Sequence, residues 1–293
     1  MERRREFVLE SVSHDFNVRR DRMSTPLWLV RLIKMGFPYS SLGARLTRVP
    51  VLGRGIERML FEGDDLMLLP ATRVVAVGEG VPESPSEVVP WQVVEQFVEK
   101  AGFLWVMNTC ICRESMGCED YPIDLGCLFM GEAARGINPA LGRPVSKEEA
   151  LEHLRQCREA GLFHLVGRNK VDAVWLNIRP ADRLLTVCSC CTCCCLWRIL
   201  PVVSESVSSQ MTRMPGLEVR VTDACVGCGT CLAAECLAGA LSVGERATIS
   251  DECRGCGRCV GLCPEGAIEI RFEGADDFVA SAVERLSARV DVT

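Results

Sequence analysis

Eight of the nineteen cysteines fall in two runs, Cys225-x2-Cys228-x2-Cys231-x4-Cys236 and Cys253-x2-Cys256-x2-Cys259-x3-Cys263-Pro264. Three thiolates spaced this closely wrap one face of a [4Fe-4S] cube, because so short a loop turns each sulfur toward a different iron. The fourth iron must take its ligand from elsewhere in the chain. Glycines 227, 229, 255 and 257 separate the ligands, where backbone has to approach the inorganic core. The two halves repeat with a period of 28 residues, Cys225 to Cys253. Each reads as strand, ligand loop, helical turn, strand: Val219–Val221 and Leu241–Val243 flank the first loop, Thr248–Ser250 and Ile268–Ile270 the second. Zinc is the alternative for any C-x2-C pair, but two triple runs and a Cys-Pro partner suit cubanes better.

Over residues 217 to 272 the segment resembles the bacterial-type two-[4Fe-4S] ferredoxin domain. The resemblance implies crossed ligation, with Cys225, Cys228, Cys231 and Cys263 on one cluster and Cys253, Cys256, Cys259 and Cys236 on the other. The first run departs from the pattern twice: four residues rather than three precede Cys236, and Leu237 stands where proline is usual. A one-residue bulge before Cys236 is the expected accommodation.

Ten further cysteines are candidate metal ligands, Cys110, Cys112, Cys118 and Cys127 in one stretch and Cys188, Cys190, Cys191, Cys193, Cys194 and Cys195 in another. In an extended chain, Cys191, Cys193 and Cys195 would face one side and Cys188, Cys190 and Cys194 the other, so only a subset can ligate one centre. Each stretch follows a strand-like run, Phe103–Met107 and Leu184–Val187, so the two loops are expected to converge on one additional iron–sulfur site. Buried thiols around a single zinc, or a copper(I) store suggested by the C-x-C and C-C pairs, are the alternatives. Arg113 beside Cys112 is placed either to hydrogen-bond cluster sulfur or to stand in solvent. Cys157 reads as a core thiol on the buried side of a helix with Leu151 and Leu154, and His153 and His164 read as structural. Tyr121-Pro122-Ile123-Asp124 reads as a turn closing the first ligand loop.

The surrounding pattern predicts an α+β fold: a helical region over 1–70, a Cys-rich α+β domain over 71–210, the ferredoxin domain over 211–273 and a helical tail over 274–293. A charged arm runs through Arg22, a strand spans Arg73–Val77 and a loop Gly78–Pro90. A helix over Trp91–Ala101 is expected to stop at Gly102 as C′. A second helix starts at Ser146, whose capping box with Glu149 is explicit in the sequence, and ends at Gly161. Leu162–Val166 and Ala173–Ile178 are expected to form a hairpin around residues 167–170. Pro26–Phe37 reads as an amphipathic helix, favoured for docking or core packing, with peripheral membrane association as the lesser alternative.

At 293 residues and 48% hydrophobic content the chain supports a core and more than one domain. Without an apolar leader after Met1, the cysteines are expected reduced and metal-bound in a cytoplasm. The net charge of −6 resides after Leu217, where thirteen acidic face seven basic residues, an acidic face suited to a basic redox partner. No basic, aromatic-interleaved stripe suggests nucleic acid, no apolar run is long enough to span a bilayer, and no phosphate-binding glycine motif is present. The whole layout, Cys-x-Cys-Arg, Gly-Cys, Gly-Cys-Leu-Phe, the capped helix with Gly-Leu-Phe-His, the Cys cluster and the ferredoxin segment, resembles a group of uncharacterised iron–sulfur proteins of anaerobic microbes. Electron transfer is the leading function on these grounds. A reductase binding substrate at the upstream cluster is second, and thiolate metal storage or sensing is third.

Overall fold

Strand Asp65–Leu69 (β1) is buried at all five positions. Past Asp65 it therefore reads as a short apolar run, Leu66–Leu69, with no alternation, which hides its strand character in the sequence. It lies inside the span expected to be helical and sits within a seven-stranded sheet. The structure is a computed structural model describing residues 24–70, 74–77, 87–88, 90–273 and 278–293. The charged arm through Arg22, Arg73 of the expected strand and most of the expected loop at 78–90 lie outside the described residues.

The other strands are β2 (Val74–Val77), β3 (Glu87–Val88), β4 (Leu104–Met107), β5 (Leu128–Met130), β6 (Gly142–Pro144), β7 (Phe163–Arg168), β8 (Leu185–Cys190), β9 (Met211–Thr212), β10 (Leu217–Val221), β11 (Leu241–Val243), β12 (Ala247–Ile249) and β13 (Ile268–Glu273). The large sheet has the order β6-β4-β5-β8-β7-β1-β9 and is antiparallel except for β1 against β9. A second sheet runs β10-β13-β2-β3, and β11-β12 is a separate hairpin. The sheets exchange strands across the expected boundaries near 70 and 210, since β2 pairs with β13 and β9 pairs with β1.

Both faces of the large sheet are covered. Met67 and Leu69 of β1 face a core shared with Val94 and Phe97 of the helix Gln92–Lys100 and with Ile270 and Phe272 of β13. Leu66 and Leu68 face the other way, toward Trp197 and Ile199. The helix Lys147–Glu159 has the capping box in full, with Ser146 Oγ accepting from Glu149 N and the Glu149 carboxylate accepting from Ser146 N. Gly161 follows it at φ +77.

Two expected elements differ. Residues 173–178 do not return as a strand: Lys170–Trp175 is a helix, and β7 pairs instead with β1 and β8. Partners distant in sequence thus outcompete the local turn. The helix after Trp91 stops at Ala101, which is extended at ψ 128, and Gly102 does not take the left-handed C′ conformation. Gly102 N donates to Val292 O at 2.9 Å, and a Cβ there would sit 3.2 Å from the Thr293 carbonyl carbon. The glycine makes room for the C-terminal strand of chain.

That C-terminus is tied to the sheet by charge as well. Arg285, in the helix Phe278–Ser287, donates to both carboxylate oxygens of Asp65 at 2.6 and 3.1 Å, and the Asp65 side chain is only 8% exposed. Arg285→Ala leaves that carboxylate with Arg289 alone, 3.8 Å away. Folding stability is expected to fall by about 2 kcal/mol, a value reduced from that of a fully buried pair because Arg285 is partly exposed. Replacing Asp65 and Arg285 together by leucine should recover most of the loss in denaturant titrations. A single variant as stable as the parent would show the pair contributes nothing.

Candidate metal centres

The eight cysteines of the C-terminal segment separate into two groups of four. Cys225, Cys228, Cys231 and Cys263 line one cavity, and Cys236, Cys253, Cys256 and Cys259 line another. Antiparallel β10 and β13, in register from Leu217↔Phe272 to Val221↔Ile268, bring the end of each half beside the start of the other. The extra residue before Cys236 is taken up by Glu235, which adopts φ +48 and ψ 68 at the end of the short helix Thr230–Ala234. A left-handed residue reverses the chain within one step, so Cys236 still reaches the second cavity. The two pre-turn cysteines remain equivalent: Ala240 N donates to Cys236 Sγ at 3.4 Å and Ala267 N to Cys263 Sγ at 3.2 Å, each from four residues on. Leu237, in the place of proline, is buried with Trp197, Ile199 and Leu200 and anchors this segment to the larger sheet.

The two groups differ in their surroundings. Cys228 is exposed, and the thiols of Cys225 and Cys228 are drawn below the ordinary thiol range by donors, the Ala247 N–H and the Thr230 hydroxyl respectively. Burial pushes Cys256 up to about 11 and Cys259 up to about 12. Asp223, Glu245 and Glu265 are exposed around the first group.

Upstream, sheet order explains the convergence of the remaining thiols. β5 lies between β4 and β8 and is antiparallel to both, so β4 and β8 run the same way and end at the same edge where β5 begins. Cys110 caps the helix Ile111–Met116 just past β4, Cys127 directly precedes β5, and Cys188 and Cys190 belong to the end of β8. The helix is one and a half turns long and closes at Gly117 in the left-handed region, φ +61, so Cys118 is thrown back over it. The Tyr121–Asp124 segment completes the loop, with Ile123 O accepting from Cys110 N at 2.8 Å.

The ten thiols gather as two adjoining groups rather than one. The Sγ atoms of Cys118, Cys191, Cys193 and Cys194 all lie within 4.8 Å of one another, with Cys118–Cys193 and Cys193–Cys194 at 3.6 Å. Cys110, Cys112, Cys127, Cys188, Cys190 and Cys195 line, together with Cys191, a cavity of about 270 Å³. Cys127 and Cys188 are 3.6 Å apart there. The strict alternation expected along 188–195 fails because β8 ends at Cys190 and the chain turns at 192–194. The turn sends Cys194 with Cys191 and Cys193, and returns Cys195 to the side of Cys188 and Cys190.

Arg113 stands between the groups and is fully buried. Its Nη1 donates to Ser189 O at 2.8 Å and its Nη2 to Leu125 O, while Nε has no partner among the described residues. The guanidinium is thus neither solvated nor bonded to sulfur, the two alternatives the sequence offers. It has no carboxylate partner among the described residues, and the nearby groups that favour its charge are Cys110, Cys191, Cys127 and Cys190. A buried cation of this kind requires anionic neighbours, and metal-bound thiolates provide them. This is the observation on which the donor set fits a metal centre.

The Cys127 thiol is pushed well above the ordinary range by its contact with Cys188 and by burial, and Cys112 likewise by Cys110 and burial. Such thiols are protonated when metal-free, so loading must displace protons. Apparent metal affinity of the upstream groups is expected to fall about tenfold per pH unit of acidification for each proton displaced. Competition titrations with a chelator across neutral pH read this slope; a flat profile would mean the thiols bind no metal as thiolates.

Cys157 is fully buried against Cys191 and Cys194 and lies outside the close group of four. His153 Nε2 is 2.8 Å from Gly126 O, and His164, on β7, has Nδ1 3.3 Å from Ser189 Oγ. Burial pushes His164 down to about 3, so it is neutral. Sequence reasoning misses the rest of the large cavity: Ile33, Phe37, Asn169, Asp172, Trp175 and Trp197. The amphipathic pattern of 26–37 is the one signal that pointed at part of it.

Residues 248–269 match the 4Fe-4S binding domain family, a stretch that contains the second cysteine run and parts of β12 and β13 beside it. Comparison with curated proteins and with solved structures gives no match. The chain therefore carries a 4Fe-4S binding motif on an α+β scaffold, and among the described residues no helix is long and apolar enough to cross a membrane.

Proposed function

We propose that this is an electron-transfer protein in which two clusters in the C-terminal segment connect an external redox partner to a metal centre upstream. One residue carries the reading. Thr192 directly follows Cys191, which lines the six-thiol cavity, and also walls the cavity of Cys236, Cys253, Cys256 and Cys259. The buried C-terminal thiol group and the upstream thiols thus share a single stretch of wall. Cys225, Cys228, Cys231 and Cys263 would hold one [4Fe-4S] cluster and Cys236, Cys253, Cys256 and Cys259 the other, supplying one-electron chemistry. The exposed Cys228, with Glu245 and Glu265 exposed near it, is the side offered to a basic partner on this reading, Asp223 being paired with Arg246.

Geometry separates the upstream groups chemically. Four thiolates about 2.3 Å from one zinc stand about 3.8 Å from each other in a tetrahedron. The mutual separations of Cys118, Cys191, Cys193 and Cys194, all within 4.8 Å, suit a single ion and leave no room for four irons between them. This group is assigned a structural zinc, and the six thiols of the larger cavity an additional iron–sulfur centre. Anaerobic purification with iron, sulfide and zinc quantification tests the assignment. About one zinc and clearly more than the roughly eight irons of two cubanes are expected. Eight irons without zinc would sink both upstream sites.

A second reading rests on the size of the large cavity, which extends past the thiols to Asn169, Asp172 and Trp175. That leaves room for a small substrate, as a reductase needs. An iron lacking a protein thiolate predicts a changed electron paramagnetic resonance spectrum on adding an exogenous ligand; full thiolate coordination predicts none.

A further inference from the structure

The helices that roof the six-thiol cavity are apolar on both sides. From Leu27 to Arg48 the chain is helical almost without a break, as Leu27–Gly36, Phe37–Tyr39, Ser40–Arg45 and Leu46–Arg48. Its inner face is accounted for: Val30 and Ala44 are buried, and Ile33 and Phe37 wall the cavity. Its outer face carries Trp28, Leu32, Met35, Tyr39, Leu42 and Leu46, spaced alternately by four and three residues, and every one is exposed. Trp28 is 63% exposed and Met35 and Tyr39 69%. Eleven of the sixteen exposed large hydrophobic side chains among the described residues lie between Leu27 and Met59. Isolated exposed apolar residues need no explanation, but a continuous surface of this extent marks something that covers it.

Charge indicates what that is. Between Pro26 and Leu60 there are six basic residues and one acidic, a net of +5 in a chain whose total is −6. Arg31, Arg45 and Arg58 are exposed and take no ion pair among the described residues. The apolar surface also continues past the first helical stretch onto Leu52 and Met59 of the helix Leu52–Leu60. The four-and-three stripe alone would suit a partner helix, but Leu27, Val49, Val51, Leu52 and Met59 are exposed beside it and widen the face beyond one seam. A broad apolar face with cations at its edge and Trp and Tyr among its side chains matches a lipid–water interface.

We propose that residues 27–59 form a surface that seats the protein on an anionic lipid bilayer. The apolar side chains enter the headgroup region, Arg31, Arg45 and Arg58 meet anionic headgroups, and the six-thiol cavity is held about one helix diameter, ~10 Å, from the lipid. The proposal stands on exposure and charge and is independent of which metals the thiols hold.

Flotation of the full-length, metal-loaded protein with vesicles tests it. Binding to phosphatidylcholine vesicles containing phosphatidylglycerol is expected, weakened by salt and much weaker on phosphatidylcholine alone. Arg31→Gln with Arg45→Gln should lower vesicle affinity on the order of tenfold. Met35→Glu with Leu42→Glu should abolish it while metal content is unchanged, since both positions are exposed. Trp28 emission should shift to the blue on binding, and Trp28→Phe should remove the shift while flotation persists, which reports the contact without a disruptive variant. Failure to float with anionic vesicles, or equal binding to both vesicle types, overturns the proposal. So does a dimer in light scattering that the Met35→Glu, Leu42→Glu pair converts to monomer, because a second copy would then be the occupant.

Discussion

Cys263→Ala is expected to remove the cluster near Cys225, Cys228 and Cys231 and to leave the one near Cys253, Cys256 and Cys259 in place. The mutated residue belongs to the second run by sequence, being four residues past Cys259, yet it lines the first cavity. The charge neighbours divide the same way: Cys263 acts on Cys231, and Cys236 acts on Cys253, Cys256 and Cys259. The reciprocal variant, Cys236→Ala, should spare the exposed cluster and damage the buried one. Iron should fall by about four per chain in either case, one cubane's complement. The two reduced proteins should give different electron paramagnetic resonance spectra, because one cluster faces solvent and the other a dry wall. Loss of the same signal in both variants would show that ligation is not crossed. A lesser effect is expected from Glu235→Pro: the φ of +48 at this position is closed to proline, so the approach of Cys236 is disturbed without touching a thiol.

The C-terminal arrangement is legible because its information is local. Ligand spacing, the intervening glycines and a repeat of 28 residues all lie within one short stretch. The convergence of the upstream loops is legible for a similar reason: each cysteine stretch follows directly on a strand, and strands running the same way end at the same edge. What the sequence hides depends on distant partners. Residues 173–178 look like the return strand of a hairpin, but β7 finds better partners in β1, about a hundred residues earlier, and in β8. β1 itself, buried on both faces, has no period to identify it. The splitting of the thiols into four and six follows from a turn at 192–194, inside a stretch whose cysteines and single threonine contain no turn-forming glycine or proline. Arg113 could be assigned no environment, since a cation beside a cysteine looks the same in sequence whether it meets solvent, sulfur or carbonyls.

Under the proposed function, shared walls make a path out of these pieces. The exposed C-terminal group lies among acidic residues, the buried group is walled by Thr192, and Thr192 directly follows Cys191, which lines the six-thiol cavity. Leu237 adds a mechanical link, burying itself beside Trp197 only two residues after Cys195. In a ferredoxin-like segment that acted alone there would be no reason for an apolar side chain at this position to anchor it against a second thiol-bearing sheet. On that function, loss of the Leu237 contact should disorient the C-terminal segment and slow electron delivery upstream before either site loses its metal.

Arg113→Met should reverse the sign of its effect with metal content. With metal bound, the guanidinium offsets the negative charge of the surrounding thiolates, and removing it leaves that charge buried and uncompensated. Upstream metal affinity is expected to drop by about ten- to a hundredfold, the usual range for a group that supports ligands without binding the ion. The two C-terminal clusters should be untouched, because Arg113 lines neither of their cavities. Without metal the cation keeps Cys110 as its counter-charge, a thiol drawn down to about 6 chiefly by the hydrogen bond from Cys112. Cys110 can take up a proton once the cation is gone, so the same substitution should stabilise the apo fold by exchanging a buried ion pair for a neutral thiol and an apolar chain of similar length. Thermal unfolding of both proteins, with and without chelator, reads both halves. A purely structural arginine would destabilise in both states when lost, since its hydrogen bonds to Ser189 and Leu125 are present in either. Opposite signs therefore identify Arg113 as the positioned counter-charge of a metal–thiolate centre, and equal signs remove the strongest reason to place metal there.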